Sequence, residues 1–184
     1  MRKIIVFSLV LFMGSLSYAR SHIPHVHGEA QMNMVIDRGI LQIDLRFPAE
    51  SVLGFEHKPA TKAEIKSLAD VKSQLSDPML FGFYTKRGFF KKESLLDASQ
   101  SNLDIHFSFD EDLDHQHHDE HSEFKLTIEY MLPKNSEVTA LSTKLFELFS
   151  DIHDIDLTII FQDSSRTKEW ESNQNKIKLK GVSK

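Results

Sequence analysis

The stretch "LQIDLRFP" (Leu41 to Pro48) decides the fold, because a near copy of its pattern returns as "LTIEYMLP" (Leu126 to Pro133). In the first, Leu41, Ile43, Leu45 and Phe47 alternate with Gln42, Asp44 and Arg46. In the second, Leu126, Ile128, Tyr130 and Leu132 alternate with Thr127, Glu129 and Met131. A period of two with one apolar face predicts half-buried strands. Each is preceded by a second alternating run. Ala30, Met32, Met34 and Ile36 reach the first through Asp37-Arg38-Gly39, and Leu103, Ile105, Phe107 and Phe109 precede the second. Two β-hairpins are therefore expected.

Helical signals follow both. Thr61 with Glu64 makes a capping box ahead of Ile65, Leu68, Ala69, Val71 and Leu75, and Asp77-Pro78 stops the helix. The intervening "ESVLGFEHKP" (Glu50 to Pro59) reads as a loop. In the second half a helix is expected from Asn135 or Ser136, with Val138, Leu141, Leu145, Leu148 and Phe149 on one face. "MLFGFYTKRGFFKKESLLDA" reads as one or two short strands and "IDLTIIF" (Ile155 to Phe161) as another. "TKEWE" and "KIKLK" are expected to form a closing hairpin. The fold class is α+β, an internal duplication of two pseudo-symmetric β-β-α-β(-β) halves, residues 20–99 and 100–184.

Residues 1–19 read as a secretory signal peptide. Arg2 and Lys3 precede the apolar Ile4 to Met13, and Ser17-Tyr18-Ala19 offers a cleavage site after Ala19. The apolar run is too short for a membrane span. Without residues 1–19 the 22 basic residues become 20 against 27 acidic, and the net charge moves from −5 to −7. Such a chain repels phosphates, which argues against nucleic acid and suits cations. There is no cysteine among the 184 residues, so thiolate ligands and nucleophiles are excluded.

What remains for chemistry is imidazole and carboxylate. "DEDLDHQHHDEHSE" (Asp110 to Glu123) places four of the chain's ten histidines in seven consecutive residues, among seven carboxylates. Its composition cannot bury a core, so it is expected to be disordered, the expanded tip of the second hairpin, matching Asp37-Arg38-Gly39 in the first. His115, His117, His118 and His121, with Asp114, Asp119 and Glu120, offer ligands for Zn²⁺, with Ni²⁺ and Cu²⁺ as alternatives. Protons compete for the same nitrogens, so loop binding should fall as pH drops through about 6.5, the ordinary histidine value. A second constellation is "HIPHVHGEA" (His22 to Ala30), where an extended backbone sets His25 and His27 on one side. A third is Glu56-His57 in "GFEHKP", with Phe55 expected to tuck into the core. Met32 and Met34 fall on the apolar face and read as core rather than copper ligands. No nucleophile elbow, zincin helix or phosphate loop is present, so an enzyme is not expected.

Three segments together resemble the ZrgA-type periplasmic zinc-binding proteins of Gram-negative bacteria. They are His25-Val26-His27-Gly28-Glu29-Ala30, then Pro48-Ala49, then Gly54-Phe55-Glu56-His57-Lys58-Pro59. The resemblance implies a zinc-repressed periplasmic protein that assists zinc acquisition beside an ABC-type importer, and an α/β sandwich of two similar halves. It also raises the weight of His25, His27 and His57. Some members carry cysteine in the second half, and this chain has none. The rival readings are a periplasmic adaptor module whose histidine loop senses pH or other metals, and a zinc hydrolase. Oligomeric state stays open at this stage.

Overall fold

The computed structural model describes residues 27–87, 89–90, 92–110, 121–161 and 164–179. The first hairpin forms as expected from β1 (Glu29–Asp37) and β2 (Ile40–Pro48), paired from Gln31↔Arg46 to Asp37↔Ile40. Its turn is Arg38-Gly39, both left-handed with φ of 46° and 85°. Two such residues match the twist of the flanking strands, which is why glycine closes the turn. Helix α1 (Glu50–Leu53) and helix α2 (Lys62–Leu75) follow, then β3 (Phe81–Arg87) and β4 (Lys92–Leu95). The second hairpin is β5 (Ser99–Asp110) with β6 (His121–Met131). After it come β7 (Ala140–Thr143), α3 (Leu145–Leu148), β8 (Asp154–Phe161), β9 (Ser164–Glu171) and β10 (Ile177–Lys178).

The strands make two sheets, ordered β5-β6-β2-β1-β8-β9 and β10-β7-β3-β4. The fold is α+β and mostly β. Within the larger sheet β2 pairs antiparallel with β6, joining the two hairpins, with Ile43 opposite Ile128 and Leu45 opposite Leu126. Among the described residues only β1 and β8 run parallel. The alternation read in the sequence is largely the burial pattern: Leu41, Ile43, Leu45 and Phe47, and Leu126, Ile128 and Tyr130, are buried, while Leu132 is only half-buried and Phe124, not read as part of the run, is buried in its place. Met32 and Met34 are buried with them, as core residues. On the other face Asp44 accepts hydrogen bonds from Thr127 Oγ1 at 2.9 Å and from Gln42 Nε2. The smaller sheet closes over the apolar face, and Phe83 of β3 meets Tyr130 edge-on at 4.7 Å. Burial of the Tyr130 phenol, and then the charge of Asp77, push its pKa up.

The capping box is present in full: Thr61 Oγ1 accepts from Glu64 N, and Glu64 Oε2 accepts from Thr61 N at 2.9 Å. Three expectations are corrected. "ESVLGFEHKP" is not all loop, because Ala49 O accepts from Val52 N and Leu53 N and starts α1. The helix expected over Val138 to Phe149 is instead strand β7 followed by the single turn α3. Val138, Leu141 and Leu145 do sit at helical spacing, but β3 needs a partner on its open edge, and Leu141↔Phe83 and Ala140↔Tyr84 supply it. Leu148, expected on the buried face, is 36% exposed. Finally, "TKEWE" and "KIKLK" do not pair: β9 borders β8 in the larger sheet and β10 borders β7 in the smaller. Past the hairpins the two halves run differently. Their strands also interleave, since β1 borders β8 and β3 borders β7.

Candidate metal site

One end of the larger sheet gathers the start of β1, the end of β2, the start of β6 and the start of β8. Gly28 ties the start of β1 to α1 and to the residue ahead of β8. Its N–H donates to Ser51 Oγ at 3.3 Å, and its carbonyl accepts from His153 N at 2.8 Å. Its φ is +82°, and a Cβ there would lie 2.8 Å from the His153 ring and 2.9 Å from the Asp151 carbonyl. Only glycine meets both demands. The turn sets His27 beside α1. That helix is anchored from the other side, because Ala49 N donates to Ser122 O at 2.9 Å. It ends at Gly54, left-handed at φ 77°, whose N–H donates to Glu50 O. The reversal brings Glu56 back toward the helix start.

His27, Glu50 and Glu56 each thereby offer a ligand atom, all within 4.8 Å of one another. His27 Nδ1 lies 2.6 Å from Glu50 Oε2, and the His27 side chain is 73% exposed. One imidazole and two carboxylates with an open side suit a divalent cation that enters and leaves. Tetrahedral ligands about 2.0–2.2 Å from zinc stand roughly 3.4 Å apart. A bound ion must therefore part His27 from Glu50 and replace their direct contact. The surroundings are acidic. Glu29 is pushed up by burial, then by a hydrogen bond to Asp156 and the charges of Asp156, Asp154 and Glu169.

His57 stands apart from this cluster. Its Nε2 lies 3.2 Å from Glu64 Oε1, and its ring packs on Phe55 at 4.8 Å. Phe55, expected in the core, is only half-buried against that ring. Glu64 is held at about 2 by the N–H groups of Thr61 and Ala60 and by His57. Glu50 was missed as a ligand, and Glu56 was singled out only as the neighbour of His57. Glu50 is 23 positions from His27, the same separation as the bonded pair Gly28 and Ser51. No spacing rule links them before the sheet is built. His25 lies outside the described residues, as do His115, His117, His118, Asp114, Asp119 and Glu120. His121 opens β6 as the register partner of Asp110. The strand ends Asp110 and His121 lie at the same end of the sheet as the His27 cluster.

A two-sheet α+β protein with an exposed histidine–carboxylate cation site is the class that fold and site define. A family model described as the ZrgA family zinc uptake protein matches residues 24–179, and the chain belongs to that family. No curated protein matches the chain. Family membership carries a zinc-related role with a divalent metal as partner. Among the described residues no helix is long and apolar enough to cross a membrane.

Proposed function

We propose that the protein is a periplasmic zinc-binding accessory for zinc acquisition, and not an enzyme. In this reading zinc is cargo. The histidine-rich residues 111–120 capture it loosely, and His27, Glu50 and Glu56 hold it for hand-over to an importer or its binding component. The observation that carries the reading is the placement of that three-ligand cluster at the sheet end where Asp110 and His121 face one another. Ordering a capture segment costs entropy at each residue fixed, so its affinity should lie below that of the framed cluster. An exposed three-ligand site leaves a position free for a receiving ligand, which hand-over requires. The export signal read at residues 1–19 supports the periplasmic assignment.

The duplication belongs to the same proposal. Laying Leu41 to Pro48 on Leu126 to Pro133 places Ile43 on Ile128, and these two are register partners where the two hairpins meet. A two-fold axis between them would carry one hairpin onto the other. It supports one ancestral hairpin whose second copy gained the histidine segment.

Calorimetric zinc titration tests the function on three chains: intact, with 111–120 replaced by Asn-Gly, and with His27→Ala/Glu56→Gln. The replacement should remove weak equivalents and leave the tighter one, and the double substitution should do the reverse. Unchanged stoichiometry in both would overturn the proposal.

A further inference from the structure

The β3–β4 hairpin ends in a feature that neither the core nor the metal site uses. Phe89 and Phe90 at its tip are 96% and 92% exposed. Their rings touch only edge-on, 5.5 Å apart at 90°. Two adjacent aromatic side chains in water forfeit the burial that such residues normally find. The sequence around them, "KRGFFKK" (Lys86 to Lys92), holds four basic residues and no acid, in a chain whose net charge is −5. Four like charges within seven positions repel one another. The nearest acid on the ribbon, Glu93, is already engaged by Lys176 Nζ at 2.9 Å.

Both costs disappear at one kind of surface. We propose that the Phe89–Phe90 tip docks on an anionic lipid bilayer, the two rings entering the boundary between headgroups and acyl chains and the flanking cations resting on lipid phosphates. A hairpin tip projects a small apolar wedge, which suits a bilayer interface rather than a broad flat partner. Basic residues near an anionic leaflet are attracted to it, and the attraction is screened by salt. Aromatic insertion and basic contact reinforce each other because neither alone anchors firmly. The inference is independent of the metal site.

Vesicle flotation of the full chain tests it, with phosphatidylcholine vesicles and with vesicles of phosphatidylcholine and phosphatidylglycerol in equal parts. The run Ile4 to Met13 is itself apolar, so the measurement is the difference between chains that share it. Wild type should float with the anionic vesicles, Phe89→Ser/Phe90→Ser should lose about tenfold or more of that partition, and Lys86→Glu/Lys92→Glu should lose the preference for phosphatidylglycerol. Fluorescence of the buried Trp170 checks that each variant is folded. Equal partition by wild type and the double serine variant would overturn the proposal. So would a wild type indifferent to phosphatidylglycerol, or one that stays off both vesicles, as a tip shaped for a protein pocket would.

Discussion

His57 and Glu56 are neighbours with opposite fates. The motif "GFEHKP" draws attention to the imidazole, yet His57 turns to Glu64, a residue occupied with capping α2, while Glu56 turns to His27 and Glu50. Adjacent residues on an irregular segment point in different directions, and no periodicity says which will face a distant strand. His27→Ala or Glu56→Gln should each weaken zinc binding by at least the roughly tenfold that even a supporting contact is worth. His57→Ala, a surface change away from the cluster, should alter it by about twofold or less. Calorimetry measures all three. Two carboxylates carry opposite pH signatures. Glu64 is depressed from its ordinary 4.5 to about 2, so its stabilisation is present above pH 4.5 and is lost as pH falls toward 2. Glu64→Gln should lower the urea midpoint at neutral pH and flatten its decline on acidification. Glu29 is raised, so its contribution is present at low pH and is lost as pH rises through its folded value above 4.5. Glu29→Gln should raise the midpoint at neutral pH.

At the scale of elements, the strongest local signals were also the most faithful. Strict alternation over Leu41 to Phe47 and Leu126 to Tyr130 became the buried face of neighbouring strands, with Leu132 left half-buried at the end of the run, and the Thr61–Glu64 box became a real helix start. Thr61→Ala should cost roughly 0.5–2 kcal/mol by removing the cap. Leu45→Ala, at the centre of the sheet, should cost roughly 2–5 kcal/mol by opening a cavity. Urea denaturation separates the two magnitudes. What local pattern left undecided was pairing. Val138 to Phe149 satisfies helical spacing, but the open edge of β3 recruits Ala140 to Thr143 as a strand, a tertiary demand absent from the segment itself. "TKEWE" and "KIKLK" were legible as strands. Which sheet each joins depends on what β8 and β7 leave unpaired, and local sequence does not carry that.

For the whole molecule, the pattern of cations and anions matters more than any single motif. The larger sheet brings His27, Glu50 and Glu56 to one end, where Glu29, Asp154 and Asp156 add negative potential. A ligand that binds only the folded chain stabilises it by mass action, so the thermal midpoint should rise steadily with free zinc and return to its starting value on chelation. The composition pointed to a cation binder, and the histidine spacing singled out His27, which the fold sets beside Glu50 and Glu56. The carboxylates that complete the cluster became visible only once Gly28 and Gly54 had folded their segments against one another. The most direct test is anomalous diffraction at the zinc edge from a zinc-soaked crystal. The expected result is a peak about 2.0–2.2 Å from one atom each of His27, Glu50 and Glu56, with the His27–Glu50 contact parted. Zinc ordered elsewhere on the molecule, with His27 Nδ1 still 2.6 Å from Glu50 Oε2, would contradict it.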